Sequence, residues 1–361
     1  RGRSGYEYFK KDDNYSYVIA QFFPRMCVYN DVEGWQNYQF WGNGEFALVF
    51  GDYDVNITVP ADHIVDGTGE LQNRKEVFSK TMMKRYNKAR KSFDKPVMIV
   101  TQSEAEANEK SRSTEKKTWR FSAKNVRDFG FTSSRKYIWD MQAVKLGERT
   151  VMAVSLYSKE GNPLWEEYST KAVVSTLKSY SDKTFNYPYP KAISVHAKNQ
   201  GMEYPMICWN YGRPNEDGTY SDRTKYGMIS VIIHEVGHNF FPMIVNSDER
   251  QWGWMDEGLD TFMQYIAEQD FGTWFPEAIA PNKKYPSRRG EPAKIVNYMK
   301  GDQSFITPIM SNPENVYQLG NNAYGKPATA LNILRETVMG RELFDHAFKT
   351  YSKRWMFKHP T

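Results

Sequence analysis

Cysteine, histidine and long apolar runs are all scarce in this chain. The two cysteines, Cys27 and Cys208, stand far apart, which argues against a disulfide framework and leaves the redox compartment unreadable. No stretch approaches the ~20 apolar residues needed to span a membrane. No run of lysine and arginine is long enough to build a nucleic-acid groove. The net charge is only +5, and the basic stretch from Lys75 to Lys95 reads as a solvated helix face followed by a turn. There is no internal repeat and no low-complexity tract. The sequence opens on Arg-Gly-Arg with no methionine and no signal peptide. It reads as a processed or truncated start, favouring a bacterial periplasmic, envelope or secreted protein. What is present is ample apolar and aromatic material, 40% and 15% of 361 residues, which argues against disorder and is enough for two or three domains.

The first part reads mostly as β-structure. Tyr15 to Phe23 is aromatic and β-branched. Phe46 to Val59 is strand material stopped by Pro60. Turn signals recur at Asp31–Gly34, Gly42–Gly44 and Asp66–Gly69. Arg74 to Ser92 turns helical or irregular, Pro96 to Thr101 returns to strand, and Glu104 to Thr114 is polar and reads as a surface loop. Thr118–Phe121 and Arg135–Asp140 complete this half. Beyond Lys145–Thr150 the character changes. Val151 to Tyr157 suits one more strand, and Leu164, Tyr168, Ala172 and Leu177 have helical spacing. Ile193–His196 is a short strand. Phe271 to Gly320 reads as loops with short helices. A last helical region runs from Pro327 to about Met339, Gly340 stops it, and a further helix follows.

Chemistry concentrates at Ile229–Phe240, ISVIIHEVGHNF. His234 and His238 are four apart, one turn on the same helix face. Both imidazoles can reach one metal ion, with Glu235 beside them free to handle a proton. This His-Glu-x-x-His pattern is the zinc metallopeptidase signature. The apolar neighbours Val231, Ile232, Ile233, Val236 and Phe240 bury the helix, and buried histidines need partners. Gly237 is a poor helix residue, so it marks close packing or space near the metal. A catalytic zinc takes three protein ligands and keeps one position open. Glu257 is the candidate third ligand, at the start of a helix with Leu259, Phe262, Met263 and Ile266 on its core side. Asp256 is its rival, about 100° round the helix, and suits a helix N-terminal carboxylate. Asp260 and Thr261, one turn on, are candidate partners behind the ligands. His63, His196, His346 and His359 have no second ligand at metal spacing and read as structural or surface residues.

With eighteen residues between His238 and Glu257, these motifs resemble the gluzincin metallopeptidases, and more narrowly the aminopeptidase N family, which also contains leukotriene hydrolase. Phe240-Phe241-Pro242-Met243, Trp254 to Gly258, Tyr187 to Lys191 and Val126 to Phe129 are each similar to family segments, in family order. The resemblance implies an α+β, multidomain fold: an N-terminal antiparallel β-sandwich or saddle domain followed by a thermolysin-like, mainly α catalytic domain. It places the C-terminal part of the β domain at 1–147 and the catalytic domain, incomplete at its C-terminal end, at 148–361. Gln200 to Pro205 stands where the family has Gly-x-Met-Glu-Asn, so Gly201, Met202 and Glu203 are expected to bind substrate, Glu203 through the free α-amine. Gln200 and Tyr204 depart from the pattern. Tyr324 and Lys326 match the family's Tyr-x-Lys-Gly, with Pro327 in place of the glycine. The resemblance makes Tyr324 the oxyanion donor.

The expected protein is a zinc aminopeptidase with one Zn²⁺ held by His234, His238 and Glu257, Glu235 as acid–base, and peptides with a free N-terminal amine as substrate. The alternatives are an endopeptidase or other hydrolase at the same zinc site, or a non-catalytic peptide-binding scaffold with a vestigial one.

Overall fold

Alternating strands and tight turns build the first part of the chain, described by a computed structural model over residues 5–198, 201–281, 283–302, 304 and 306–360. The strands begin with β1 (Gly5–Phe9), β2 (Asn14–Ile19), the short pair β3 (Tyr29–Asn30) and β4 (Gly34–Trp35), β5 (Gly51–Pro60), β6 (Ile64–Gly67) and β7 (Glu70–Leu71). Helices α1 (Arg74–Val77) and α2 (Lys80–Ala89) precede β8 (Val97–Val100); α3 (Gln102–Glu109) precedes β9 (Lys116–Val126), β10 (Phe131–Ser134), β11 (Ile138–Leu146) and β12 (Arg149–Tyr157). Then come α4 (Leu164–Lys183), β13 (Lys191–His196), β14 (Met202–Tyr204), β15 (Ile207–Asn210), α5 (Asp222–Gly237), α6 (Leu259–Trp274), α7 (Val296–Lys300), α8 (Lys326–Ile333) and α9 (Arg341–Trp355).

The strands pair in four sheets among the described residues. Antiparallel pairing joins β1-β2-β10-β6 in one sheet and β5-β9-β7 in another. A six-stranded sheet in the order β14-β15-β13-β12-β11-β8 follows. Its centre is parallel, β12 beside β13 and β13 beside β15, because α4 carries the chain back across one face between β12 and β13. The boundary expected at 147/148 falls at the turn between β11 and β12, which pair antiparallel along their whole length. The helical layer packs on this sheet through α4, which also touches α5 and α6.

Two readings change. Glu104 to Thr114 begins as helix, not loop: Thr101 accepts from the Glu104 amide while the Glu104 carboxylate accepts from the Thr101 amide. That reciprocal cap starts α3 on a sequence whose only buried residues are Ala105 and Glu109. The strand read from Phe46 begins at Gly51 instead; Leu48 forms only an isolated bridge with Cys27.

Candidate metal centre

Burial dictates the helix that carries the histidines. Met228, Ile229, Ile232, Ile233 and Val236 are fully buried, so α5 runs through the core between α4 and α6. Ser221 caps it by accepting from the Thr224 amide. The helix stops at His238, and Phe240 then drops into a ring cluster with Tyr180, Phe185 and Tyr187, centroids 5.2, 5.4 and 5.4 Å away. A Cβ at Gly237 would lie 2.3 Å from both the Tyr180 hydroxyl and Asp260 Oδ1. The glycine is there for close packing: it admits the Tyr180 hydroxyl, which donates to Asp260 Oδ1 at 2.8 Å.

Three atoms converge at the end of α5. His234 Nε2 lies 3.0 Å from Glu257 Oε2 and 3.1 Å from His238 Nε2, and His238 Nε2 lies 3.3 Å from the same carboxylate oxygen. The far nitrogens decide the tautomers. His234 Nδ1 donates to Gln264 Oε1 at 3.0 Å and has Asp260 Oδ2 2.8 Å away. His238 Nδ1 donates to the Phe241 carbonyl at 2.8 Å, with Asp256 Oδ1 3.1 Å away. Each Nδ1 therefore keeps its proton, and both Nε2 lone pairs turn to one point. Once both Nε2 atoms are unprotonated, two lone pairs and a carboxylate oxygen about 3 Å apart repel one another unless a cation lies between them. They fit the edges of a tetrahedral zinc site, which bonds of about 2.0–2.2 Å make roughly 3.3–3.5 Å long.

Burial pushes both imidazoles down, yet the Asp260 carboxylate, joined by Glu257, holds both well above the ordinary histidine range in the bare chain, so the surrounding acids draw positive charge to this point, a proton where no metal cation takes its place. Burial raises Glu257, but the two histidines outweigh it and hold its carboxyl well below the usual range. Burial, then Glu257, lifts Asp256 to about 8. Asp256 and Glu257 thus divide as a helical offset requires: Glu257 faces the shared point and Asp256 the back of His238.

Glu257 and Tyr324 both sit on wide π-type turns, Trp254–Gly258 ahead of α6 and Gly320–Gly325 ahead of α8. Such turns insert a residue and re-aim a side chain. The two turns pack together. A Cβ at Gly258 would meet Pro327 Cγ at 2.6 Å, so the proline that departs from the family pattern fills space the glycine leaves. The Tyr324 hydroxyl donates to Glu257 Oε1 at 2.6 Å, and its ring stacks on His234 with centroids 5.9 Å apart.

Glu235 is buried, and its Oε2 is without a hydrogen-bond partner among the described residues. Its Oε1 lies where a Cβ on Gly201 would reach 2.7 Å. An open cleft of about 300 Å³ leads to it, lined by Gly201, Val231, His234, Gln264 and Tyr324 among others. Met202 and Glu203 lie on edge strand β14, opposite Trp209 and Cys208. Met202 is buried outside the cleft wall. Glu203 is buried with a carboxylate oxygen within 4.8 Å of a His238 nitrogen and an Asp256 oxygen. Gln200 lies outside the described residues. The remaining histidines stay apart: His63 Nδ1 pairs with Ser133 Oγ at 2.8 Å, and His196 packs on Trp165.

Sequence reasoning missed Tyr180, Gln264 and the buried pair Arg127–Glu249, at 2.6 Å. Gln264 had a signal. Glu257, Asp260, Gln264 and Glu268 recur every three or four residues, a polar stripe at helical spacing.

The peptidase family M1 domain matches residues 168–361, more than half of the chain. The chain belongs to peptidase family M1. Endoplasmic reticulum aminopeptidase 1 of Mus musculus is 23% identical over 230 residues, covering 62% of this chain and 24% of the relative. The M1 zinc metallopeptidase of Deinococcus radiodurans superposes with a TM-score of 0.57 at 16% identity, over 88% of this chain and 59% of that one. Its E323A mutant bound to a Tyr-Ser-Ala substrate gives 0.55 at 14%, with the same coverage. This M1 chain thus spans about a quarter of the curated relative's length. The similarity covers the mixed sheet-and-helix fold, antiparallel sheets first and helices after. Among the described residues no helix is long and apolar enough to cross a membrane.

Proposed function

We propose that this M1 chain is the working core of a zinc aminopeptidase, releasing the N-terminal residue of peptides by hydrolysis. The observation that carries the reading is the triangle of His234 Nε2, His238 Nε2 and Glu257 Oε2, with Glu235, whose Oε2 has no hydrogen-bond partner among the described residues, beside it at the head of an open cleft. The names of the relatives, an aminopeptidase and zinc metallopeptidases, point the same way.

His234, His238 and Glu257 would hold the ion. Zinc bound there supplies Lewis-acid chemistry, acidifying water and polarising a carbonyl. Asp260, Gln264, Asp256 and the Phe241 carbonyl fix both imidazoles from behind, so the ligands need not reorganise. Glu235 takes the proton of the attacking water and delivers it to the nitrogen of the departing amine. The Tyr324 hydroxyl, held at Glu257 in the resting site, turns to the oxygen that gains negative charge. Glu203 holds the substrate ammonium on the His238 side, which selects the first peptide bond. Gly201 keeps β14 open to the peptide backbone. We further propose that 1–147 and 148–361 act as two cooperating units joined through the six-stranded sheet.

A panel of aminoacyl fluorogenic substrates with and without chelator tests this. Hydrolysis that chelator abolishes and zinc restores is expected. Full activity in metal-free protein refutes the metal assignment, and equal cleavage of amine-blocked peptides refutes the exopeptidase one.

A further inference from the structure

The cleft is electrically lopsided. The acids Glu203 and Asp256 lie buried against His238, outside the lining of the cleft. On its open side the wall carries Arg288 and Arg289, both exposed, and among the described residues neither is ion-paired with a carboxylate. Glu235 is the only acid among the described residues lining that opening. Contacts connect the site step by step. Glu203 neighbours His238; the His238 and His234 rings lie 4.5 Å apart; Tyr324 stacks on His234 at 5.9 Å; and the Arg289 guanidinium lies 4.3 Å from the centre of the Tyr324 ring. Beyond Arg288 the groove runs on past Ser230 and Gly227 into a second depression of about 360 Å³. There Arg223, Lys283 and Lys284 line the wall, and the one acid, Asp222, has Lys225 3.6 Å away.

We propose that Arg288 and Arg289 form a carboxylate subsite for the part of the peptide that leaves, so that the enzyme favours short peptides ending nearby in a free carboxylate, or longer ones carrying an acidic residue there. The inference rests on the aminopeptidase reading above. A peptide with its ammonium at Glu203 and its first carbonyl at the metal position must continue past His234 and Tyr324, toward the two arginines. A guanidinium suits such a subsite because it stays charged and presents a planar fork that matches a carboxylate. Its contact with the Tyr324 ring orients the Arg289 fork while leaving its donors to the substrate. Acid pole and basic pole then match the two ends of a zwitterionic peptide.

The test uses the zinc-loaded full chain and compares kcat/KM within substrate pairs. One arm sets Ala-Ala-Ala against its C-terminal amide. The other sets Ala-Ala-Glu-amide against Ala-Ala-Gln-amide. Alanyl-methylcoumarin amide, which has no carboxylate, reports the aminopeptidase activity itself. The parent is expected to prefer the carboxylate member of at least one pair by about tenfold, an advantage that shrinks with added salt. Preference in the first arm identifies the peptide C-terminus as the source; preference in the second identifies an acidic side chain. Arg288→Ala should cut that preference at least threefold, the double variant R288A/R289A should bring it to about one, and Arg289→Lys should retain part of it. Ratios within one variant are insensitive to any disturbance of Tyr324. A parent that cleaves the coumarin substrate but shows a ratio of about one in both arms overturns the subsite alone. A ratio unchanged in the Arg288→Ala and double variants does the same. A parent inert to every free-amine substrate overturns the subsite together with the reading beneath it.

Discussion

Asp12, Glu109 and Glu160 converge on the fully buried ammonium of Lys136, at 2.7, 2.5 and 3.0 Å, and Lys159 joins Asp12 and Glu109 at 3.3 and 2.5 Å. Around His234 and His238, the carboxylates of Glu203, Glu235, Asp256, Glu257 and Asp260 gather with no lysine or arginine ion-paired to any of them among the described residues. Both clusters concentrate acids around buried groups, Lys136 and Glu109 in the first and the two histidines in the second, where an unpaired charge is costly. The first is countered by two lysines of its own and ties the β1–β2 turn to α3 and to the start of the helical half. The second turns its lone pairs to one point and leaves neutralisation to an imported cation. Acid density alone does not mark a metal site; what separates the two is whether the chain provides the counter-charge.

Breaking each cluster should therefore have different consequences. The largest effect is expected from Glu235→Gln, which should lower kcat by about 10²–10⁴-fold while bound zinc stays at the parent level. Stopped activity assays with metal analysis check it. Lys136→Met removes the cation from a buried network and should cost about 3–5 kcal/mol of stability. Denaturant unfolding should record this loss, added zinc should not restore it, and the zinc content of the folded fraction should not change. Asp260→Asn strikes behind the ligands and should weaken zinc binding about 10–100-fold, read by competition with a chromogenic chelator, with the zinc-saturated variant still active. The smallest effect is at Thr101→Ala, which uncaps α3 next to the lysine-filled cluster. It should cost about 1 kcal/mol in unfolding experiments and leave zinc affinity and turnover at parent values. A Thr101 or Lys136 variant that lost zinc would collapse the distinction between the two clusters.

The sequence was most legible where one residue type has one use. Two histidines a turn apart and a carboxylate beyond an interval of eighteen residues needed no structure to be joined, because helix geometry sets the first spacing and the apolar face of α6 presents Glu257. The split between Asp256 and Glu257 was legible as an offset, with Glu257 the expected ligand; the π-type turn that carries both, and the contact of Asp256 with His238 Nδ1, were not. Pro327 looked like a departure until Gly258 was seen beneath it. Helix α3 was hidden by polarity, although Thr101 and Glu104 already spelled its cap. Arg288 and Arg289 were illegible for a different reason. They lie in an irregular segment with no periodicity, and only the folded chain brings them to the cleft that α5 and α6 define.

Metal analysis of the chain purified without added metal, carried out on parent, Glu235→Gln and Glu257→Ala, tests the central claim most directly. One zinc per chain in the first two, and its loss with activity in the third, is the predicted result. A parent that hydrolyses aminoacyl substrates without zinc, or a Glu257→Ala chain that holds zinc as tightly as the parent, would contradict it.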